Sequence, residues 1–148
     1  DGGVAVDNFS VRSNNGHAIF GTGAQINRQA HDMLSYDLVV LQYGLNIMMP
    51  QQRNFSKYRD QLRDMIAYTE RCFPNAAILV LGVSDRWIKD EETGRFKPIG
   101  SVDALTRHQR AAADSSRVAF WNTSEAMADL GGMPAFVRNG WAAGTAQV

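Results

Sequence analysis

The stretch that most constrains this chain is Asp37-Leu-Val-Val-Leu-Gln-Tyr-Gly-Leu-Asn46. Its apolar run, Leu38 to Leu41, is rich in β-branched residues and too short for a helix, so it reads as a buried strand. An apolar run without alternation is the pattern of a strand covered on both faces, as in parallel sheets. In open α/β sheets, ligands sit just beyond the carboxyl ends of the strands. Gly44 and Asn46 fall at such an end. Gly44 permits a sharp backbone turn there, and Asn46 offers an amide donor. The same Gly-Leu-Asn also reads as a plain turn, and spacing alone does not separate the two readings.

On either side of this strand the pattern repeats. Val4, Val6, Phe9 and Val11 alternate loosely and predict a strand ending near Val11. Arg12 to Gly16 is a polar loop with strong turn chemistry. The segment His17 to Gly23 is apolar but broken by glycines, and Ala24 to Leu34 predicts a helix with Ile26, Ala30, Met33 and Leu34 on one face. Beyond the loop Met48 to Asn54, either Asn54 or Ser56 can cap the clearest helix of the chain. Phe55, Tyr58, Leu62, Met65, Ile66 and Thr69 form its apolar stripe, with Lys57, Arg59, Asp60, Arg63 and Asp64 opposite.

Phe73-Pro74-Asn75 stops that helix, and Ala76 to Val83 predicts a second buried strand. Lys89 to Gly94 is a charged turn, either a hairpin tip or a loop. Ser101 is expected to cap a helix reaching Ser116, with Val102, Leu105, Gln109 and Ala112 on one side. Val118 to Trp121 reads as a further short strand, which places Trp121 in the core. Short helical pieces follow over 125–130 and 133–141, and the tail 142–148 reads as unstructured or truncated. Alternating strands and helices predict an α/β fold with a parallel sheet and helices on both faces. Its carboxyl edge should gather the loops Arg12–Gly16, Gly44–Met48 and Ser84–Trp87.

The function classes narrow quickly. A chain of 148 residues supports a single domain with a real core. Lys+Arg and Asp+Glu are 15 each, so the balance of charge gives no support for nucleic acid as a partner. No apolar run reaches membrane-span length. Cys72 is the only cysteine, which excludes an intramolecular disulfide and a cysteine-rich zinc site; it reads as a half-buried structural thiol. His17, His31 and His108 have no carboxylate or cysteine at ligand spacing, so no metal and no cofactor is expected. Arg107 to Arg110 reads as a solvated helix face. Gly21-Thr22-Gly23 opens like a dinucleotide fingerprint, but position 26 is Ile, and there is no Walker-type loop. There is no Gly-x-Ser-x-Gly elbow either. What remains is a set of oxyanion donors: the backbone around Ser13 to Gly16 and the side chain of Asn46.

Three motifs in order carry a family resemblance: Val6-Asp-Asn-Phe-Ser-Val-Arg-Ser-Asn-Asn-Gly16, Tyr36-Asp-Leu-Val-Val-Leu-Gln-Tyr-Gly-Leu-Asn46, and Ile78-Leu-Val-Leu-Gly-Val-Ser-Asp-Arg86. Together they resemble the middle of an SGNH (GDSL-type) hydrolase, of the group common in gut Bacteroidetes. The resemblance implies a three-layer α/β/α sandwich of flavodoxin-like form. It also implies hydrolysis of esters, carbohydrate O-acetyl groups among them, with a small-molecule or glycan ester as substrate and a periplasmic or secreted setting. Asn46 matches the family's Asn block, whose amide serves the oxyanion hole. Ser13 falls where its Gly block has glycine, and Gly16 matches a second glycine of that loop. Gly44, Asp85 and Arg86 are then expected to border the substrate.

The departures are as informative. No Gly-Asp-Ser-like motif precedes Ser13, and no Asp is followed three residues later by His. The chain opens at Asp1-Gly2-Gly3 without an initiator Met. The expectation is therefore one domain over 1–148, truncated at both ends, that supplies oxyanion donors but neither nucleophile nor base. A substitute triad of Ser84, His17 and Asp85 is disfavoured, and Asp85-Arg86 reads instead as an ion pair fixing its loop. A missing first strand would leave an open sheet edge that favours homo-oligomers. A non-catalytic carbohydrate-binding module, with Trp87, Trp121 and Trp141 as stacking candidates, is the alternative.

Overall fold

The computed structural model describes residues 2–10 and 14–142. Its elements in chain order are α1 (Ala24–Leu34), β1 (Leu38–Leu41), α2 (Ser56–Cys72), β2 (Ala77–Leu81), β3 (Trp87–Lys89), β4 (Phe96–Pro98), α3 (Ser101–Ser116), β5 (Ala119–Trp121), α4 (Thr123–Asp129) and α5 (Gly132–Arg138). Single turns of 3₁₀ helix cover His17–Gly21 and Leu45–Ile47. The fold is α/β, with a parallel sheet of three strands in the order β1-β2-β5 flanked by five α-helices. The charged turn Lys89–Gly94 is a hairpin tip between β3 and β4, which pair antiparallel.

The register sorts the sheet into two faces. On one, Val39 lies beside Ile78, and Leu41, Val80 and Phe120 form a row. This face meets the stripe of α2 and the buried side of α3, and Leu41, Ile78, Val80, Leu62, Met65, Ile66 and Leu105 are all buried in one cluster. Full burial of a side chain of that size contributes about 1.5–3 kcal/mol, so this cluster dominates the stability of the fold. The six residues predicted for the α2 stripe are all buried. So are the four predicted for α3, and Cys72 lies wholly inside.

Helix cover is uneven, and several expectations change for that reason. On the second face Leu38 is 50% exposed, Val40 45% and Trp121 57%. Trp121 is therefore not core; it pairs in register with Leu81 on the open side. The face of α1 predicted from Ile26, Met33 and Leu34 is exposed as well. α1 meets α2 through polar contacts instead: Asn27 Nδ2 donates to Tyr68 Oη at 3.1 Å and Arg28 donates to the Arg71 carbonyl at 3.3 Å, while the His31 ring is buried against Tyr36 and Phe73.

The first predicted strand does not form. Residues 2–10 run without a ladder partner, and Val4, Val6 and Phe9 are exposed; Val11 lies outside the described residues. Alternation alone cannot hold a strand whose backbone groups have nothing to pair with. Tyr36 touches that segment: its hydroxyl donates to Asp7 and its ring meets Phe9. The caps differ too. Asn54 Oδ1 accepts from Ser56 N–H at 2.9 Å. Ser101 is the first residue of α3 rather than its cap, and its buried Oγ has no partner.

Candidate functional site

The strand-end segments converge at the carboxyl edge of the sheet, as the topology requires. After β1 the chain turns at Gly44, with φ +120°, and Ile47 N–H closes the turn on Gly44 C=O at 3.2 Å. A Cβ on Gly44 would stand 3.0 Å from Val83 Cγ1 and 3.1 Å from Gln109 Nε2, so both the dihedral and the space demand glycine. Two residues on, Asn46 Nδ2 donates to the Asn14 carbonyl at 3.1 Å and draws the first loop to the second. Gly16, with φ +97°, lets that loop lie on Met65 and Tyr43. From the third loop, Arg86 donates to the Leu45 carbonyl at 3.3 Å. Asn14, Asn46 and Arg86 thus gather at one part of this edge, the candidate mouth. The Asn14 bond uses one of the two Asn46 amide hydrogens; among the described residues the other has no hydrogen-bond partner.

Behind this mouth lies Gln109, which spacing placed on the inner side of α3 without a role. Its Oε1 accepts from Val83 N–H at 3.0 Å, and its Nε2 donates to the Tyr43 carbonyl at 2.8 Å. The two partners are the backbone groups just past β2 and just before Gly44. Burial pushes the nearby Tyr58 phenol above its ordinary pKa, which marks these surroundings as poorly solvated. Hydrogen bonds in such surroundings are stronger than at the surface. The signal for Gln109 was present in the sequence: an uncharged amide standing in an apolar stripe between Leu105 and Ala112.

Asp85 and Arg86 do not pair with each other. Asp85 Oδ2 accepts from Trp87 Nε1 at 2.8 Å and from Met133 N–H at 2.9 Å. Its carboxylate therefore pins the start of α5 and the indole of Trp87 to the third loop. Backbone geometry explains the choice: Gly131 and Gly132 both take positive φ, which brings the first N–H groups of α5 onto Asp85. The Ser84, His17 and Asp85 trio is not assembled. The His17 ring contacts Gln61 Nε2 through Nδ1 at 3.0 Å and packs edge-on against Phe20. His108 Nδ1 lies 2.8 Å from the Ala104 carbonyl, and the Nδ1 of His31 is buried without a partner. Among the described residues no cluster of His, Cys, Asp and Glu is placed to hold a metal, and no helix is long and apolar enough to cross a membrane.

Of the residues expected to form the site, Gly16, Gly44, Asn46, Asp85 and Arg86 are brought to this edge, and Ser13 lies outside the described residues. Asn14 enters through its carbonyl, which side-chain chemistry does not announce. A cavity of about 320 Å³ opens at the opposite, amino edge, lined by His31, Asp32, Ser35, Tyr36, Asp37 and Asn75. It pairs Ser35 with His31 only through the Ser35 N–H and the His31 carbonyl, so it presents no nucleophile–base hydrogen bond.

A solved structure of a peptidoglycan O-acetylesterase is similar to this chain, with a TM-score of 0.62 at 24% identity over 74% of this chain and 31% of that one. The likeness carries the fold. This chain thus matches about a third of the length of that relative. No family model matches the chain, and neither does any curated protein.

Proposed function

We propose that this chain is the oxyanion-side part of an SGNH-type ester hydrolase domain, and that the esters are acyl groups on carbohydrates. The observation that carries this reading is the hydrogen bond from Asn46 Nδ2 to the Asn14 carbonyl, beside a Gly44 whose positive φ and tight surroundings favour glycine. It holds a side-chain amide at the carboxyl end of β1, and among the described residues its second N–H has no hydrogen-bond partner. Such a donor stabilises negative charge as it develops on an ester oxygen, and removal of one such donor typically costs about 10²–10³ in rate. The resemblance adds a backbone N–H from Ser13 as the second donor. Gly16 and Gly44 keep the floor of the mouth low, and Arg86 faces the substrate. Asp85 acts at a distance by anchoring α5 and Trp87. The solved relative is named for removing acetyl groups from peptidoglycan, which supports a glycan ester as the substrate class.

These residues hold neither a Gly-Asp-Ser-like motif before Ser13 nor an Asp-x-x-His motif. Tested alone, they should bind an acyl glycan without turning over p-nitrophenyl acetate. The experiment is a titration with O-acetylated chitooligosaccharide followed by NMR, with an esterase assay on the same sample. Shifts at Gly44, Asn46 and Arg86 without turnover are expected. Serine-directed phosphonate-sensitive turnover that Asn46→Ala abolishes would contradict the predicted inactivity, and shifts confined elsewhere would contradict the site. A second reading, a non-catalytic carbohydrate-binding module, is favoured by the exposed indoles of Trp121 and Trp141. Binding lost on Trp121→Ala and kept in Asn46→Ala would select it.

A further inference from the structure

Gln109 is only 1% exposed, on the side of α3 that faces the core. A buried amide is costly unless its donor and its acceptor are both paired. Here each end takes a backbone group from a different loop of the candidate site: Tyr43 C=O ahead of Gly44, and Val83 N–H ahead of Ser84. We propose that Gln109 is a positioning residue, whose amide locks the β1 and β2 loops to α3 and so sets where Asn46 presents its donor. This rests on the oxyanion reading of Asn46 and extends the site to a helix more than sixty residues further along the chain (Asn46 to Gln109).

The local geometry carries the coupling. Tyr43 C=O is fixed from behind by Gln109, and Gly44 reverses the chain at φ +120°. The Leu45–Ile47 turn then follows, closed by Ile47 N–H on Gly44 C=O. Asn46 leaves that turn toward Asn14. Only Gly44 and Leu45 separate the Tyr43 carbonyl held by Gln109 from Asn46. An apolar residue of the same size at 109 would leave Tyr43 C=O and Val83 N–H unpaired inside the protein. Both loops would then shift to reach water, and Asn46 would move with them.

Amide hydrogen exchange on the unaltered chain gives the first test. Val83 lies beyond the end of β2, and its N–H bonds to Gln109. It should exchange as slowly as the amides inside β2; exchange at the rate of an open loop overturns the proposal. In Gln109→Met, the amides of Ile47 and Val83 should lose about tenfold or more in protection relative to Met65 and Ile66 in α2. A uniform loss across all of them would mean a merely structural role. Affinity for O-acetylated chitotriose separates the two layers of inference. Asn46→Ala and Gln109→Met should each weaken it, and the double variant should be no weaker than Asn46→Ala alone. Wild-type affinity in Gln109→Met, with loss in Asn46→Ala, overturns the positioning role only. Wild-type affinity in Asn46→Ala overturns the ligand contact at Asn46 beneath it, and the positioning role with it.

Discussion

The two faces of the parallel sheet are built from the same kinds of residue and end in different environments. On β1, Leu41 is 3% exposed and Leu38, three residues earlier on the same strand, is 50% exposed. Both are leucines in a ladder with β2, opposite Val80 and Ala77 respectively. The difference is set by what lies above each face. α2 and α3 bring Leu62, Met65, Ile66 and Leu105 over the first, while the second is largely left to solvent. Apolar character therefore reports capacity for burial, and the partner decides whether it is realised. The closed face also carries the candidate site, because Gln109 reaches the strand-end loops from the helix that covers it.

The largest expected effect contrasts these two leucines. Leu41→Ala should destabilise the fold by about 2–5 kcal/mol in a denaturant titration, through lost transfer energy and the cavity left behind. Leu38→Ala should cost under about 1 kcal/mol, since little area is removed from contact. Equal costs would break the comparison.

Next in size is the glycine that joins the closed face to the site. Gly44→Ala meets Val83, Gln109 and Leu105 at 3.0–3.3 Å and keeps φ at +120°, so a loss of about 1–3 kcal/mol is expected. Gly21→Ala, where an added Cβ meets nothing within 4 Å, should stay within about 0.5 kcal/mol. Thermal unfolding of both variants checks the pair.

The β3–β4 hairpin gives a smaller, pH-dependent effect. Lys97, with Thr93 assisting, holds the Asp90 carboxyl well below the usual carboxylate range. Asp90 raises the Lys97 ammonium in return. A depressed carboxylate stabilises above its unfolded value and loses that contribution as pH falls below about 4. A raised lysine contributes below about 10.4 and loses that contribution as pH climbs through its folded value. Cross-strand NOEs between Ile88 and Lys97 should therefore weaken at both extremes and hold between them, and salt should soften the pair because it is exposed. A hairpin indifferent to pH would break the assignment. The smallest effect belongs to the open face: Val40→Thr should leave stability nearly unchanged and lower any concentration-dependent association seen by light scattering.

The closed face was legible in the sequence because two periodicities agreed on it. The 3.6-residue stripe Tyr58, Leu62, Met65, Ile66 and the short runs Leu38–Leu41 and Ala77–Leu81 each demand cover, and they cover one another. The convergence of Asn46 and Arg86 followed from topology alone. The open face was not legible. Trp121 and the Ile26, Met33, Leu34 stripe have core-like patterns, but periodicity does not say whether a partner is present. The strand predicted from Val4 failed over the described residues 2–10 for the same reason: a strand is a property of a pair, and among the described residues they have no ladder partner. Asp85 was misassigned because adjacency in sequence suggested Arg86, whereas the acceptor geometry favoured Met133 N–H and the Trp87 indole. Gln109 shows the converse, a polar residue whose burial was predicted and whose purpose needed the loops in three dimensions.

The most direct measurement of the central claim, that an ester-binding site lies at the carboxyl edge behind the closed face, is calorimetric titration of O-acetylated chitotriose into paired variants. Asn46→Ala should weaken binding severalfold, and Trp121→Ala should leave it at the wild-type level. Binding that keeps its wild-type strength in Asn46→Ala and vanishes with Trp121→Ala would place recognition on the open face and contradict the account.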